Sequence, residues 1–233
     1  MLPRTLEPEV MDSAAEALSY DAMDHSQVNR RFVDDLLIAV LLTTTSRLRV
    51  LDVGTGTALI PVELARRFPD CHIVAADAAR SMLDLADRHI HANGLSDRIE
   101  TLCVDCRQIP FDDGAFDLVI SNSIVHHIPR PLEVLQECCR ILTPGGLLFV
   151  RDLFRPESSA EIERLVALYA GSASSEQQQL LRQSFHAALT VAEVQELVRS
   201  LGILSEAVQV TSDRHWTLCW DKPLSIQSAH EVG

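Results

Sequence analysis

Residues Val50 to Leu59 run from an apolar strand into a tight turn: Val-Leu-Asp-Val-Gly-Thr-Gly-Thr-Ala-Leu. A buried strand ending in glycines lets backbone approach a ligand closely, and the helix that follows offers free N–H groups at its start. This combination belongs to α/β architectures with a binding crevice at the strand ends. A dinucleotide fingerprint needs a third glycine, and Leu59 stands in its place. Asp52 adds a carboxylate beside the turn, where a pyrophosphate would be repelled. A cationic ligand without phosphate suits the turn better.

The rest of the pattern agrees with that architecture. Short apolar runs at Arg49–Val53, His72–Ala76, Ile99–Val104, Asp117–Ser121 and Leu147–Arg151 read as strands. Helices are expected over Ala58–Phe68, Ala79–Asn93, Pro131–Leu142, which stops at Pro144-Gly145-Gly146, and Thr190–Leu201. Strands separated by helices imply a parallel sheet covered on both faces. Ala207–Thr211 and His215–Trp220 read as a closing antiparallel hairpin at the sheet edge. The expected fold is therefore α/β: a Rossmann-like, doubly wound, mostly parallel seven-stranded sheet whose last strand is antiparallel, with an α-helical cap. One domain over 1–233 is expected, with a helical cap at 13–43, a ligand-binding core at 48–153, a helical insertion at 155–189 and a C-terminal helix and hairpin at 190–222. Capping boxes at Ser13–Glu16, Ser158–Glu161 and Thr190–Glu193 mark helix starts, and a second cap helix is expected from Gln27 to Leu42. The last ten residues are expected to fray.

Charge narrows the partners. The 233 residues carry 33 acids against 20 Lys and Arg, a net charge of −13. A protein that grips phosphate backbones needs a basic surface, so DNA or a large RNA is a poor partner. A small-molecule partner is expected, with the chain a monomer or homodimer. The N-terminus lacks a signal-peptide pattern, and the apolar run Leu36–Leu42 is far too short for a membrane span. The 6 cysteines show no disulfide rhythm, which suits reduced thiols and a cytoplasmic location. Cys103 and Cys106 have metal-like spacing but no second pair, so no metal is expected.

Ligands in such sheets gather at the carboxyl ends of the strands. The first strand delivers Asp52, Gly54, Thr55 and Gly56; the second delivers Asp77, placed to accept both hydroxyls of a ribose. Asp105 follows the third strand, suited to an adenine amine, and Asn122, Ser123, His126 and His127 follow the fourth. Three acids around a glycine turn favour an adenosyl cofactor with a cationic end, S-adenosylmethionine (SAM), whose product is S-adenosylhomocysteine.

The collinear series Val-Leu-Asp-Val-Gly-Thr-Gly-Thr, Ala-Ala-Asp, Val-Asp-Cys, Phe-Asp-Leu-Val-Ile-Ser-Asn and Leu-Thr-Pro-Gly-Gly-Leu-Leu resembles the class I SAM-dependent methyltransferases. The resemblance is especially to the small-molecule group that includes quinone-biosynthesis C-methyltransferases, and it covers Val50 to about Asp152. It implies that Asp52, Gly54 and Gly56 hold the methionine portion and Asp77 the ribose. Ala78 would pack on the adenine, Asp105 and Cys106 would face its edge, and Asn122 and Ser123 would border the transferred methyl. By position, His126 and His127 are the candidate bases. Arg151 and Arg155 after the fifth strand, Tyr20 and His25 in the cap, His186 in the insertion and His215 before the last strand are candidate acceptor contacts. Methyl transfer to O, N, S or C of a small molecule is the reading that follows. Two rivals stay open from sequence: an NAD(P)-dependent oxidoreductase, and a SAM-binding regulatory partner without turnover.

Overall fold

The computed structural model describes residues 2–7, 13–41 and 47–224. Seven strands form one sheet in the order β3-β2-β1-β4-β5-β7-β6. They are β1 Leu48–Val53, β2 Cys71–Asp77, β3 Ile99–Cys103, β4 Phe116–Asn122, β5 Leu142–Leu153, β6 Val208–Val210 and β7 His215–Asp221. Neighbours β1 to β5 pair in parallel, whereas β7 is antiparallel to both β5 and β6. This is the expected doubly wound, Rossmann-like sheet. Strand order reverses between β1 and β4, so the crevice opens beside the glycine turn.

Alternation along each strand sends residues to two cores. Val50, Ile73, Ala75, Leu118, Ile120 and Phe149 face the helices α2 (Ser26–Leu41), α3 (Leu59–Arg67) and α4 (Arg80–Ala92). Leu51, Val53, Val74, Val119, Leu148 and Val150 face α5 (Pro131–Ile141) and α8 (Val191–Ser200). Both faces being covered explains why these strands read as nearly continuous apolar runs. Phe32 of α2, fully buried, meets Phe149 edge-on at 5.2 Å between centroids. A side chain of that size contributes about 1.5–3 kcal/mol by burial. That contact holds the cap helix on the sheet. The shorter α1 (Ala14–Asp21) packs Ala17 and Tyr20 against Ala79, Met82 and Leu85 of the α4 region.

The insertion is a pair of helices, α6 (Ser159–Ala170) and α7 (Ser175–Ala187), joined by their own small core of Ile162, Leu165, Val166 and Phe185 with Leu153. A capping box at Ser174–Gln177 opens α7, and the expected box at Thr190–Glu193 opens α8. Ser158 accepts from the Glu161 N–H, but the Glu161 carboxylate is turned to Arg164 instead of closing the reciprocal bond.

The structure corrects the expected break between α5 and β5. Thr143-Pro144-Gly145-Gly146 is not a loop between the two; β5 begins at Leu142 and runs through it. The pairing with β4 shifts register between Phe116 and Leu118, and Gly145 takes φ +79. The Gly145 N–H donates to the Lys222 carbonyl at 2.7 Å, and the Lys222 N–H to the Gly146 carbonyl at 2.9 Å. A bulge with external partners lets the strand continue where the sequence spells a stop. Leu42, and residues 225–233 where fraying was expected, lie outside the described residues. No helix among the described residues is long and apolar enough to cross a membrane.

Candidate active site

The turn after β1 is built by left-handed backbone. Gly54 and Gly56 have φ of +73 and +56, and Ala58 follows at +58. At Gly54 a side chain would meet Ile124, which packs directly over the turn. Glycine is therefore required there twice over, by conformation and by space. Gly54 and Thr55 donate their N–H groups to the Ala76 carbonyl, which fastens the turn to the end of β2.

Three acids surround this turn. Asp52 is buried, and its Oδ2 accepts from the Thr55 hydroxyl at 2.7 Å. Burial, with the Asp77 charge adding to it against the Thr55 bond, pushes its carboxyl up to about 7. Asp77 Oδ2 accepts the Gly56 N–H at 2.8 Å and Oδ1 the Ala79 N–H at 2.9 Å. It thus holds the glycine turn and the start of α4 together. Asp21 of α1 receives His89 Nε2 at 3.3 Å, and His89 Nδ1 lies 2.9 Å from the Thr57 carbonyl.

A narrow cleft lies over Asp52, Gly54, Thr55 and Asn122, lined also by Tyr20, His25 and Asn29. Tyr20 and His25 stack at 4.6 Å, and a Cβ added to Gly56 would sit 3.8 Å from the Tyr20 ring. Burial and the charges of Asp77, Asp52 and Asp21 push the Tyr20 hydroxyl up to about 12. Tyr20 and His25, expected to reach an acceptor, are thus brought against the glycine turn itself. Asn29, Thr57 and Ile124 were missed by sequence reasoning. Asn29 lies about one helical turn beyond His25, and that spacing was the available signal.

The cleft fits an adenosyl sulfonium cofactor by its own chemistry. Thr57 Oγ1 and Asn122 Oδ1 are buried without a hydrogen-bond partner among the described residues. Asp52 is a carboxylate under the cap with no cation beside it among its hydrogen bonds. Unpaired buried acceptors are costly. A ligand with an ammonium group and a positively charged sulfur meets that need; a pyrophosphate does not.

Other expected positions lie as follows. Ser123 has φ +58, and its N–H donates to the Arg151 carbonyl. Asp105 is grasped by the Arg107 guanidinium at 2.7 to 3.1 Å, which holds its carboxyl below the usual range. Cys106 is buried, and that burial pushes its thiol up to about 12. The half-exposed Asp105 is therefore paired within the chain at the edge where an adenine was expected.

Three of the four charged or aromatic positions proposed for an acceptor beyond the cap have structural partners instead. Arg151 is buried; Nε donates to Thr217 Oγ1 and Nη2 to Asp35 of α2, each at 2.8 Å, between the rings of Phe32 and Phe149. It ties the cap helix to β5. Arg155 is buried, donating to the Ala188 carbonyl and to both Glu193 oxygens, and so locks the insertion to α8. His215 is buried with Nδ1 2.9 Å from Ser212 Oγ in the β6–β7 turn, and burial pushes it down to about 4. His186 is half-buried in α7, and its carbonyl accepts the Thr5 N–H. Partners from distant segments reach Arg151 and Arg155, so strand-end position alone does not give access to a ligand.

His126 and His127 sit in a short 3-10 turn, Val125–His127, after β4. His126 is buried, with Nδ1 2.5 Å from Asp152 Oδ1 and its backbone N–H donating to Oδ2. Burial opposes protonation, but the Asp152 and Glu7 charges outweigh it and raise its pKa. Burial and the neighbouring His126 push His127 down to about 3, so it is neutral.

Comparison with known proteins agrees with the fold and the turn. A family model described as a methyltransferase domain matches residues 51–150. The demethylmenaquinone methyltransferase of Deinococcus radiodurans is 37% identical over 121 residues, 52% of this chain and 49% of that protein. The biotin biosynthesis bifunctional protein BioHC of Cellvibrio japonicus is 30% identical over 148 residues, 64% of this chain and 27% of that protein. The chain thus spans half or less of the length of these curated relatives. Among solved structures, a SAM-dependent methyltransferase described as putative, from Methanococcus maripaludis, superposes with a TM-score of 0.65 at 21% identity, covering 94% of this chain and 97% of that one. Residues 51–150 thus match a methyltransferase-domain family, and the seven-stranded sheet with β7 antiparallel beside β5 is the fold of the methyltransferases on which the chain superposes.

Proposed function

We propose that this protein transfers a methyl group from SAM to an O, N, S or C atom of a small molecule. The observation that carries the reading is the buried Asp52 under an aromatic cap, with no cation bonded to it and two unpaired buried acceptors beside it among the described residues. Asp52 and the Gly54–Gly56 turn would hold the methionine end, and Asp77 the ribose. Ala78, Cys106 and Asp105 would border the adenine, the last once its pairing with Arg107 admits a second donor. Asn122 and Ser123 would border the reacting methyl. The cofactor supplies an electrophilic methyl on a sulfonium and a neutral leaving group.

What the chain contributes is placement and exclusion of water. Tyr20, His25 and Asn29 line the cleft beside Asp52, and Ile124 packs against Gly54. Fixing two reactants in line can lower a barrier by roughly 7–11 kcal/mol. A dedicated base is needed only for an acceptor that is neither ionised nor nucleophilic by itself. Both ring nitrogens of His126 are directed to carboxylates, Asp152 and Glu7, so this reading gives it no proton-transfer role. The net charge of −13 favours a small, uncharged or cationic acceptor over a nucleic acid.

The test is incubation with methyl-labelled SAM and a fractionated metabolite extract, alongside titration with S-adenosylhomocysteine and NADH. Label transferred to one small-molecule fraction, with the adenosyl ligand bound and NADH not, is expected. Adenosyl binding without transfer in any fraction would refute turnover, and NADH binding alone would refute the cofactor.

A further inference from the structure

The turn that carries His126 and His127 is covered by the extended segment 2–7. Arg4 fastens that segment, donating to the carbonyls of Ala187 at 2.6 Å, His126 at 3.1 Å and Ile128 at 3.0 Å. Its guanidinium is therefore engaged by three carbonyls. The Thr5 N–H donates to the His186 carbonyl at 3.0 Å. These bonds bring the Glu7 side chain, 5% exposed, against the two imidazoles. Glu7 Oε1 lies 3.5 Å from His126 Nε2 and 3.2 Å from His127 Nδ1. One ligand atom from each residue falls within 4.8 Å of the others.

These spacings are informative because of what they are not. A charge-assisted N–H···O hydrogen bond closes to about 2.7–2.9 Å. The His126–Asp152 contact on the far side of the same ring is short, at 2.5 Å, yet both Glu7–imidazole contacts stay open. Ligands held tetrahedrally at about 2.0–2.1 Å from an ion stand about 3.3–3.4 Å from one another. The two measured separations bracket that edge. Asp152 supplies the outer support such a site uses: its contact with His126 Nδ1 fixes the ring so that Nε2 faces Glu7.

We propose that Glu7, His126 and His127 bind one divalent transition-metal ion of the zinc class, with Asp152 as the positioning residue for His126. Two imidazoles and one carboxylate suit Zn²⁺, Co²⁺, Ni²⁺ or Fe²⁺ over Mg²⁺ or Ca²⁺. Three protein ligands leave a further position for water or a ligand atom. The ion would pin segment 2–7 to the end of β4. This departs from the sequence expectation of no metal, which saw only the cysteines, because Glu7 is remote in the chain from both histidines. The inference does not rest on methyl transfer, and its readouts need no acceptor.

The test uses full-chain protein stripped with a chelator and titrated with Co²⁺, then Zn²⁺, near neutral pH. One Co²⁺ per chain is expected, with visible bands of a four- or five-coordinate nitrogen–oxygen site, no thiolate charge-transfer band, and displacement by Zn²⁺. Glu7→Gln and His127→Ala should each weaken binding at least about tenfold, and Asp152→Asn by about 10–100-fold. The Glu7 and His127 variants leave both apolar cores intact, so they remain informative if Asp152→Asn fails to fold. Substoichiometric uptake, a thiolate signature, or affinity unchanged in Glu7→Gln and His127→Ala would overturn the proposal. So would an imidazole titration that responds to Glu7→Gln without metal uptake, which would identify a proton-only network.

Discussion

Replacing Asp52 by Asn separates what the site needs from what the fold prefers. The side chain is 2% exposed, and its carboxyl sits near 7 where an unfolded chain would have 3.8. A shift of about three units corresponds to about 4 kcal/mol between the two protonation states. Above about pH 4 the unfolded chain is ionised while the folded one retains its proton until about pH 7. Stability therefore falls as pH rises through that window, and the whole deficit is in place above it. Asn fills the same volume without the charge, so at about pH 8 the variant should be more stable by about 2–4 kcal/mol, the lower figure allowing for a weakened Thr55 bond. For a chain of this size that is a rise of roughly 5–15 °C in Tm. At about pH 4 the two proteins should differ by under about 1 kcal/mol. Urea unfolding of the ligand-free proteins at both pH values measures the difference, and S-adenosylhomocysteine titration should show affinity lost in the variant. A variant no more stable at the higher pH, or equally stabilised at both, would refute the argument that Asp52 waits in the fold for a cation.

Asp77→Ala should lower S-adenosylhomocysteine affinity by about 100-fold or more, since two hydrogen bonds to a charged acceptor are worth about 1.5–3 kcal/mol each; calorimetry showing unchanged affinity would place the ribose elsewhere. Gly54→Ala should destabilise by about 2 kcal/mol or more from left-handed backbone and the clash with Ile124. Adding Ile124→Ala should not restore cofactor binding, and full recovery in the double variant would show that φ is not limiting. Arg155→Ala should cost about 2–3 kcal/mol in denaturant unfolding by stranding the Ala188 carbonyl and Glu193. A loss under about 0.5 kcal/mol would mean the insertion does not depend on that lock.

Much of the fold was legible because its signals are local. Each strand of the parallel core is a short apolar run, and each turn carries its own glycine or acid. The glycine turn with Asp52, and Asp77 at the end of β2, were readable for the same reason. The misreadings share the opposite property. Pro144-Gly145-Gly146 spells a break, and only pairing with Lys222 keeps β5 going. Arg151 and Arg155 look like ligand-binding cations at strand ends, but Asp35, Thr217 and Glu193 reach them from remote segments. Glu7 carries no periodicity at all, and its place beside two imidazoles follows from Arg4 finding three carbonyls. Sequence position tells which residues end near the crevice; it does not tell which of them are already engaged.

The hydrogen bond from Arg4 to the Ala187 carbonyl spans 183 residues of chain. Closing so long a loop costs little more than closing one of half the length, about 0.6 kcal/mol. Timing is another matter, because contacts between distant segments form only after their surroundings exist. Segment 2–7 has no seat until β4, β5 and α7 have come together, so it is a late piece to dock during synthesis. By the same reasoning its amides should open to exchange well before those of the central strands. The segment thus reports on assembly: it can be held in place only where the end of β4 and the end of α7 have already met.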